Sequence, residues 1–180
     1  LQGSNKLRND DPTPTRIRNK QLMKQVNIAI LGCGTVGTGV ARLLLENGDI
    51  IRDRIGCILN LKYVADIDTV KDRGLTFQPG VMIPDAATAI ADPSVDIVVE
   101  TIGGEGIAKQ LLLEAIDNGK HVVTANKALL AKHGNAIIAA ATEKGVDLAF
   151  EASVGGCMPI IKTVRESLVG NRISAMTGIL

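Results

Sequence analysis

The chain has 180 residues, 46% of them hydrophobic and 22% charged, with a formal net charge of +1. That is enough for one domain with a sizeable core, and too balanced a charge to point to nucleic acid or a membrane surface. No apolar run approaches the roughly 18 residues that span a bilayer, there is no signal-peptide pattern, and the three cysteines, Cys33, Cys57 and Cys157, lack metal-ligand spacing and fit a reduced, cytoplasmic compartment. In chain order, residues 1–24 hold six Lys/Arg against two Asp with little apolar periodicity, and they read as a flexible basic leader. Strand and helix signals then alternate. Val26–Leu31 reads as a buried strand and Thr35–Glu46 as a helix ending near Asn47-Gly48. Ile50–Ile55 reads as a helical turn and Ile58–Ala65 as a second strand. Residues 69–94 contain Pro79-Gly80, Pro84 and Pro93 and predict loops with a short helix at Ala86–Ala91. Val95–Glu100 reads as a strand, Ile107–Asn118 as a helix stopped by Gly119, and His121–Val123 as a short strand. Lys127–Lys132 and Ala136–Lys144 read as helices broken at Gly134 and Gly145. Val146–Phe150 reads as a strand, Pro159–Leu168 as a helix opened by its proline, and Ile173–Leu180 as the start of another strand.

This β-α-β alternation argues for an α/β fold with a doubly wound parallel sheet, a Rossmann-like dinucleotide-binding fold. In such sheets ligands sit beyond the carboxyl ends of the strands. Here those ends are Gly32, Asp66, Thr101, Thr124 and Glu151.

The first strand runs straight into Gly32-Cys33-Gly34-Thr35-Val36-Gly37 and then into a helical pattern. Strand, glycine turn and helix start together make a cradle for a pyrophosphate. Gly32 turns the chain, Gly34 lets the backbone approach a phosphate, and Gly37 lets the helix pack on the strand. The free N–H groups and positive dipole end of that helix face the anion. Asp66 ends the second strand, where an acid binds ribose hydroxyls. Asp66 and Asp68 repel a 2′-phosphate, while Lys71 and Arg73 attract one, so NAD and NADP both stay open. Thr101 and Gly103, in the small-residue turn after Glu100, let the cofactor lie against the backbone. Lys127 follows a parallel strand. A lysine there can hydrogen-bond a hydroxyl that loses hydride and relay its proton, against the blander reading of a solvated lysine at a helix start. The glycine-rich stretch from Glu151 to Pro159 has carbonyls for a hard monovalent cation or N–H groups for a carboxylate. Cys157 reads as a buried or inert cysteine rather than a nucleophile, and the lone His121 and His133 as structural or exposed.

Thr124–Ala131, read as Thr-Ala-Asn-Lys-Ala-Leu-Leu-Ala, joined to Glu151–Gly156, Glu-Ala-Ser-Val-Gly-Gly, resembles homoserine dehydrogenase. Leu31–Val40, Glu100–Gly106, Gly119–Lys132, Gly145–Val154 and Pro159–Asn171 with Ile179-Leu180 match in the family's order. The resemblance implies NAD(P)-dependent interconversion of L-homoserine and L-aspartate 4-semialdehyde, on the route to threonine, methionine and isoleucine. It implies cofactor contacts from Thr35 and Val36 with the glycines, and cofactor and substrate contacts from Lys127. It also implies a structural sodium site on oxygens of Glu151, Val154, Gly156 and Met158. Cys157 departs from the small glycine or alanine expected there. The resemblance further implies a substrate and dimerisation domain beyond Leu180. The expected organisation is therefore a leader at 1–24, an NAD(P)-binding domain at 25–170 and the start of that further domain at 171–180. The full-length protein would be a homo-oligomer, and this part alone monomeric and inactive. Two other readings remain. A sugar-type oxidoreductase also places Gly-Lys-His-Val before a cleft lysine, but with Glu-Lys-Pro where this chain has Asn126-Lys127-Ala128. A non-catalytic dinucleotide-binding module would need no cleft lysine.

Overall fold

The computed structural model describes residues 23–178, so most of the basic leader, and Ile179-Leu180, lie outside the described residues. A continuous apolar run, Ile28 to Leu31, makes β1 (Gln25–Leu31) a strand that serves both faces of a sheet. Ala29 and Leu31 join one core, with Ala65, Val98, Leu112, Val122 and Ile137. Ile28 and Ile30 join the other, with Ala41, Leu61, Val64 and Val99. Each large aliphatic side chain removed from water in this way contributes about 1.5–3 kcal/mol.

The other elements follow in order: α1 (Thr35–Glu46), α2 (Gly48–Ile55), β2 (Ile58–Ala65), β3 (Met82–Ile83), α3 (Ala86–Ala91), β4 (Ile97–Glu100), α4 (Gly106–Asp117), β5 (His121–Thr124), α5 (Lys127–Lys144), β6 (Leu148–Ala149), α6 (Glu151–Val154) and α7 (Ile160–Lys162). A π-helical turn, Thr163–Ser167, continues α7. The six strands pair in the order β3-β2-β1-β4-β5-β6, every pair parallel. This is the doubly wound sheet expected from the sequence. The chain winds outward from β1 through β3, then returns to the other side of β1. The order therefore reverses between β1 and β4, and a crevice opens beyond their carboxyl ends.

Several elements differ from expectation. The two helices expected around Gly134 are one, α5, because Leu129, Ile137 and Ala141 on either side of that glycine are buried on a common face. A glycine inside a helix costs only about 1 kcal/mol. β3 was not expected; two residues are too few to show a period. Val95–Glu100 and Val146–Phe150 shorten to β4 and β6. Glu151–Val154, expected as loop, makes a helical turn. Residues 173–178 form no strand.

The sheet's amino-terminal edge is held by polar contacts. Register shifts between Ile28 and Ala29 so that Lys62 of β2 is left over, a bulge of the kind that re-aims a side chain. Lys62 and its neighbour Tyr63 both reach Asp92 at the end of α3, at 2.8 and 2.9 Å. Lys120, almost fully buried, donates to the carbonyls of Asp92 and Val95. The Lys62 ammonium, then the Ser94 hydroxyl and amide and the Tyr63 hydroxyl, hold the Asp92 carboxyl far below its ordinary value. A carboxyl with a depressed folded-state pKa adds stability that is present above its unfolded value and lost as pH falls toward the folded one. Asp92→Asn is therefore expected to lower the melting temperature at neutral pH. The gap to wild type is expected to narrow steadily once the pH drops below 3.8, the ordinary carboxyl value. Thermal melts across pH 2–7 check this; a gap independent of pH would contradict it.

Candidate functional site

The turn between β1 and α1 carries the geometry its glycines suggested. Gly32 sits at φ +90°, and a Cβ there would lie 2.9 Å from the backbone of Ile102. A Cβ on Gly37 would lie 2.0 Å from the Gly32 carbonyl oxygen, so α1 packs against the turn more closely than any side chain allows. At Gly34 a Cβ would meet nothing within 4 Å, so that position faces open space. Gly34 is the N-cap of α1 and no side chain caps the helix. The first amides of α1 are thus left for an external acceptor, and Thr35 and Val36 lie exposed around them. Uncapped amides at a dipole's positive end form an anion site.

Asp66 lies just past β2 and holds this turn. Its Oδ2 accepts the Cys33 N–H at 2.6 Å and its Oδ1 accepts the Asp68 N–H at 2.9 Å. Burial raises the Asp66 pKa, but the amides of Asp68 and Cys33 and the Arg73 guanidinium outweigh it, and the net shift is downward. Arg73, expected to attract a 2′-phosphate, is instead folded inward with its side chain 4% exposed. It donates to the carbonyls of Cys33, Lys71 and Asp68 and pairs with Asp66 at 3.2 Å. Sequence reading missed this clasp. An arginine with several backbone carbonyls in reach is satisfied internally, and no local pattern announces that. Beside Asp66 lies a cleft of about 510 Å³ walled by Gly32, Gly34, Ile67, Pro84, Ile102 and Ile107.

On the other side of β1, Thr101 lines the same cleft, and its hydroxyl donates to the Gly32 carbonyl at 2.7 Å. Thr101 thereby fixes the switch point rather than offering its hydroxyl outward. Gly103 and Gly104 follow with φ of +78° and +70°. Asn126 caps α5, its Oδ1 accepting from Leu129 N at 3.1 Å. Lys127 is the first residue of α5 and is exposed, just beyond β5 as the sequence placed it.

The stretch from Glu151 to Met158 is occupied with its own folding. The Glu151 carboxylate accepts from the amides of Ile161 and Lys162 at 2.8 and 3.0 Å, capping α7. Its carbonyl accepts from Gly155 N, and the Met158 carbonyl from Ile160 N. Each of these carbonyl oxygens keeps a second lone pair, the donor type that hard cations take. Among the described residues no cluster of three His, Cys, Asp or Glu could hold a metal ion. Cys157, for which a buried side chain was one expectation, is exposed on this loop, and it has φ +61°, a conformation that costs an L-residue about 1–2 kcal/mol. Glycine there would remove that strain and give back about 0.4–1 kcal/mol through its freer unfolded chain. Cys157→Gly is therefore expected to stabilise by about 0.5–1 kcal/mol, read as a melting temperature raised by about 2 °C. An unchanged or lower value would contradict the strain.

Residues 32–151 match the family model described as "Homoserine dehydrogenase, NAD binding domain". The chain is 46% identical over 160 residues to a homoserine dehydrogenase of Pseudomonas aeruginosa, covering 88% of this chain and 36% of that protein. It is 45% identical over 158 residues to one from Neisseria gonorrhoeae, with the same shares covered. A crystal structure of a homoserine dehydrogenase from Thiobacillus denitrificans superposes with a TM-score of 0.76 at 45% identity, over 83% of this chain and 35% of that one. The chain thus spans about a third of the length of the relatives it matches. Among the described residues no helix is long and apolar enough to cross a membrane.

Proposed function

The chain belongs to the homoserine dehydrogenase family, as its NAD-binding domain, and from that premise we propose that the full-length protein interconverts L-homoserine and L-aspartate 4-semialdehyde, with this chain holding the dinucleotide. The observation that carries the reading is the uncapped start of α1 at the topological switch point, with open space at Gly34. The amides of Gly34, Thr35, Val36 and Gly37 would hold the pyrophosphate. The apolar walls at Ile67, Pro84, Ile102 and Ile107 suit an adenine ring. Asp66 would accept from a ribose hydroxyl, and Thr101 and Gly103 shape the turn along which the rest of the cofactor would lie. A bound nicotinamide would supply the hydride acceptor for the hydroxyl-bearing carbon. Lys127, exposed at the start of α5, hydrogen-bonds the substrate oxygen and moves its proton.

The same reading favours NAD over NADP. Two carboxylates, Asp66 and Asp68, follow β2, and Arg73 is turned away from solvent. A carboxylate opposite a 2′-phosphate is expected to cost about a tenfold factor or more in kcat/KM, equivalent to about 1.4 kcal/mol. Sodium on oxygens of Glu151, Val154, Gly156 and Met158 belongs to the reading as a structural ion, supported by the carbonyl donors of that segment. So does a cytoplasmic setting. Residues 25–170 form the NAD(P)-binding domain after the 1–24 leader, and residues 171–180 begin the substrate and dimerisation domain. The full-length protein is then a homo-oligomer and the 180-residue chain a monomer. Steady-state assays with homoserine and either dinucleotide test the proposal. Full-length protein is expected to reduce NAD faster than NADP, and the 180-residue chain neither. Turnover by the short chain, or none by the long one, would overturn it.

A further inference from the structure

Glu100 is completely buried at the carboxyl end of β4, a setting in which glutamate is rare unless its oxygens are fully engaged. Its three donors come from both sides of the site. Oε1 accepts the amides of Ile102 and Gly103 at 2.9 and 3.2 Å, and Oε2 accepts the Thr124 hydroxyl at 2.5 Å. The Thr124 oxygen accepts in turn from the Asn126 amide at 3.1 Å. The Asn126 side chain donates to the Gly104 carbonyl at 2.6 Å while capping α5. The contacts close a ring from the 101–104 turn through Glu100, Thr124 and Asn126 back to Gly104, and Lys127 is the next residue along the chain. Ser153 of α6 joins it from outside, donating to the Thr124 carbonyl at 2.6 Å.

We propose that Glu100 is a positioning residue, tying the cofactor-facing turn at 101–104 to the Lys127-bearing start of α5 so that the two keep one fixed spacing. The inference rests on the proposed dehydrogenase activity. A carboxylate is suited to this because it offers two acceptor oxygens and no donor. An amide at the same place supplies one acceptor oxygen, so either the turn amides or the Thr124 hydroxyl loses its partner. Loss of the tie lets Lys127 drift relative to the reacting carbon, and a misplacement of about 1 Å is worth about a hundredfold in rate. Glu100 itself makes no hydrogen bond to the α1 amides that form the pyrophosphate cradle.

The test is a double-mutant cycle in the full-length protein, with Glu100→Gln, Thr124→Val, Lys127→Ala and the Glu100→Gln/Lys127→Ala pair. Glu100→Gln and Thr124→Val are each expected to lower kcat about 10–100-fold, with the NADH dissociation constant within about twofold of wild type. Groups acting as a unit are non-additive, so the double variant is expected to be no slower than Lys127→Ala alone. Multiplied losses in the double variant overturn the proposal, as does a wild-type kcat in Glu100→Gln. If Glu100→Gln does not fold, Thr124→Val reads the same tie, and wild-type kcat there overturns it. Wild-type protein that fails to oxidise homoserine overturns the functional reading and this inference together; an active wild type with additive variants overturns the inference alone.

Discussion

Gly34→Val is expected to raise the dissociation constant for NADH by about two orders of magnitude while moving the melting temperature by only a few degrees. The two halves of that result have separate causes. A side chain at position 34 meets no protein atom within 4 Å, and the backbone there, φ −76° and ψ −158°, is one that valine adopts. The fold loses only the modest N-cap preference of glycine over valine, of the order of tenths of a kcal/mol to 1 kcal/mol. The space that valine fills is the space in which a phosphate must approach the amides of α1. Charge-assisted hydrogen bonds of that kind are worth about 1.5–3 kcal/mol each, and losing one or two gives the hundredfold effect. Gly37→Ala makes the contrasting case. Its Cβ would stand 2.0 Å from the Gly32 carbonyl oxygen and 2.7 Å from Thr101 Oγ1, so α1 must move off the turn. Binding and stability are expected to fall together, the melting temperature by several degrees. Fluorescence titration with NADH beside thermal melts separates the variants. Tight NADH binding by Gly34→Val would remove the cradle from the account.

The contrast shows what the sequence made legible. Glycine roles at 32, 34 and 37 could be assigned because a strand period gives way to a helical one across them, leaving few geometries for the turn. The doubly wound parallel sheet followed from strand-helix alternation. Lys127 could be placed because it stands just beyond the His121–Val123 strand pattern and opens a helical one. What stayed hidden depended on contacts far apart in the chain. Arg73 looked like a surface cation and is committed to Cys33, 40 positions away. Glu100 looked like the end of a strand and is bonded to Thr124, 24 positions on. Gly134 looked like a helix break, but the burial of Leu129 and Ile137 outweighs its propensity cost. Local patterns name the elements and their ends; tertiary hydrogen bonds decide which polar residues at those ends face inward.

Lys127→Ala sets the two readings of that lysine most directly against each other. A solvated lysine at the first position of α5 contributes nothing favourable to the helix. It places a cation at the positive end of the dipole, an arrangement unfavourable by about 0.3–1 kcal/mol, and alanine is the better helix former. The Asn126 cap on Leu129 N is independent of the lysine side chain. The substitution is therefore expected to leave the melting temperature unchanged or raise it by a degree or two. If Lys127 only decorates the surface, turnover of the full-length protein also stays the same. If it holds the substrate oxygen and moves its proton, kcat is expected to fall about 10²–10⁴-fold, the usual worth of general acid–base assistance. Affinity for NADH, set by the amides of α1 on the far side of β1, should change by less than about tenfold. A large loss of kcat with an equal or higher melting temperature places Lys127 at the reacting atoms, and wild-type turnover would return it to the solvated surface.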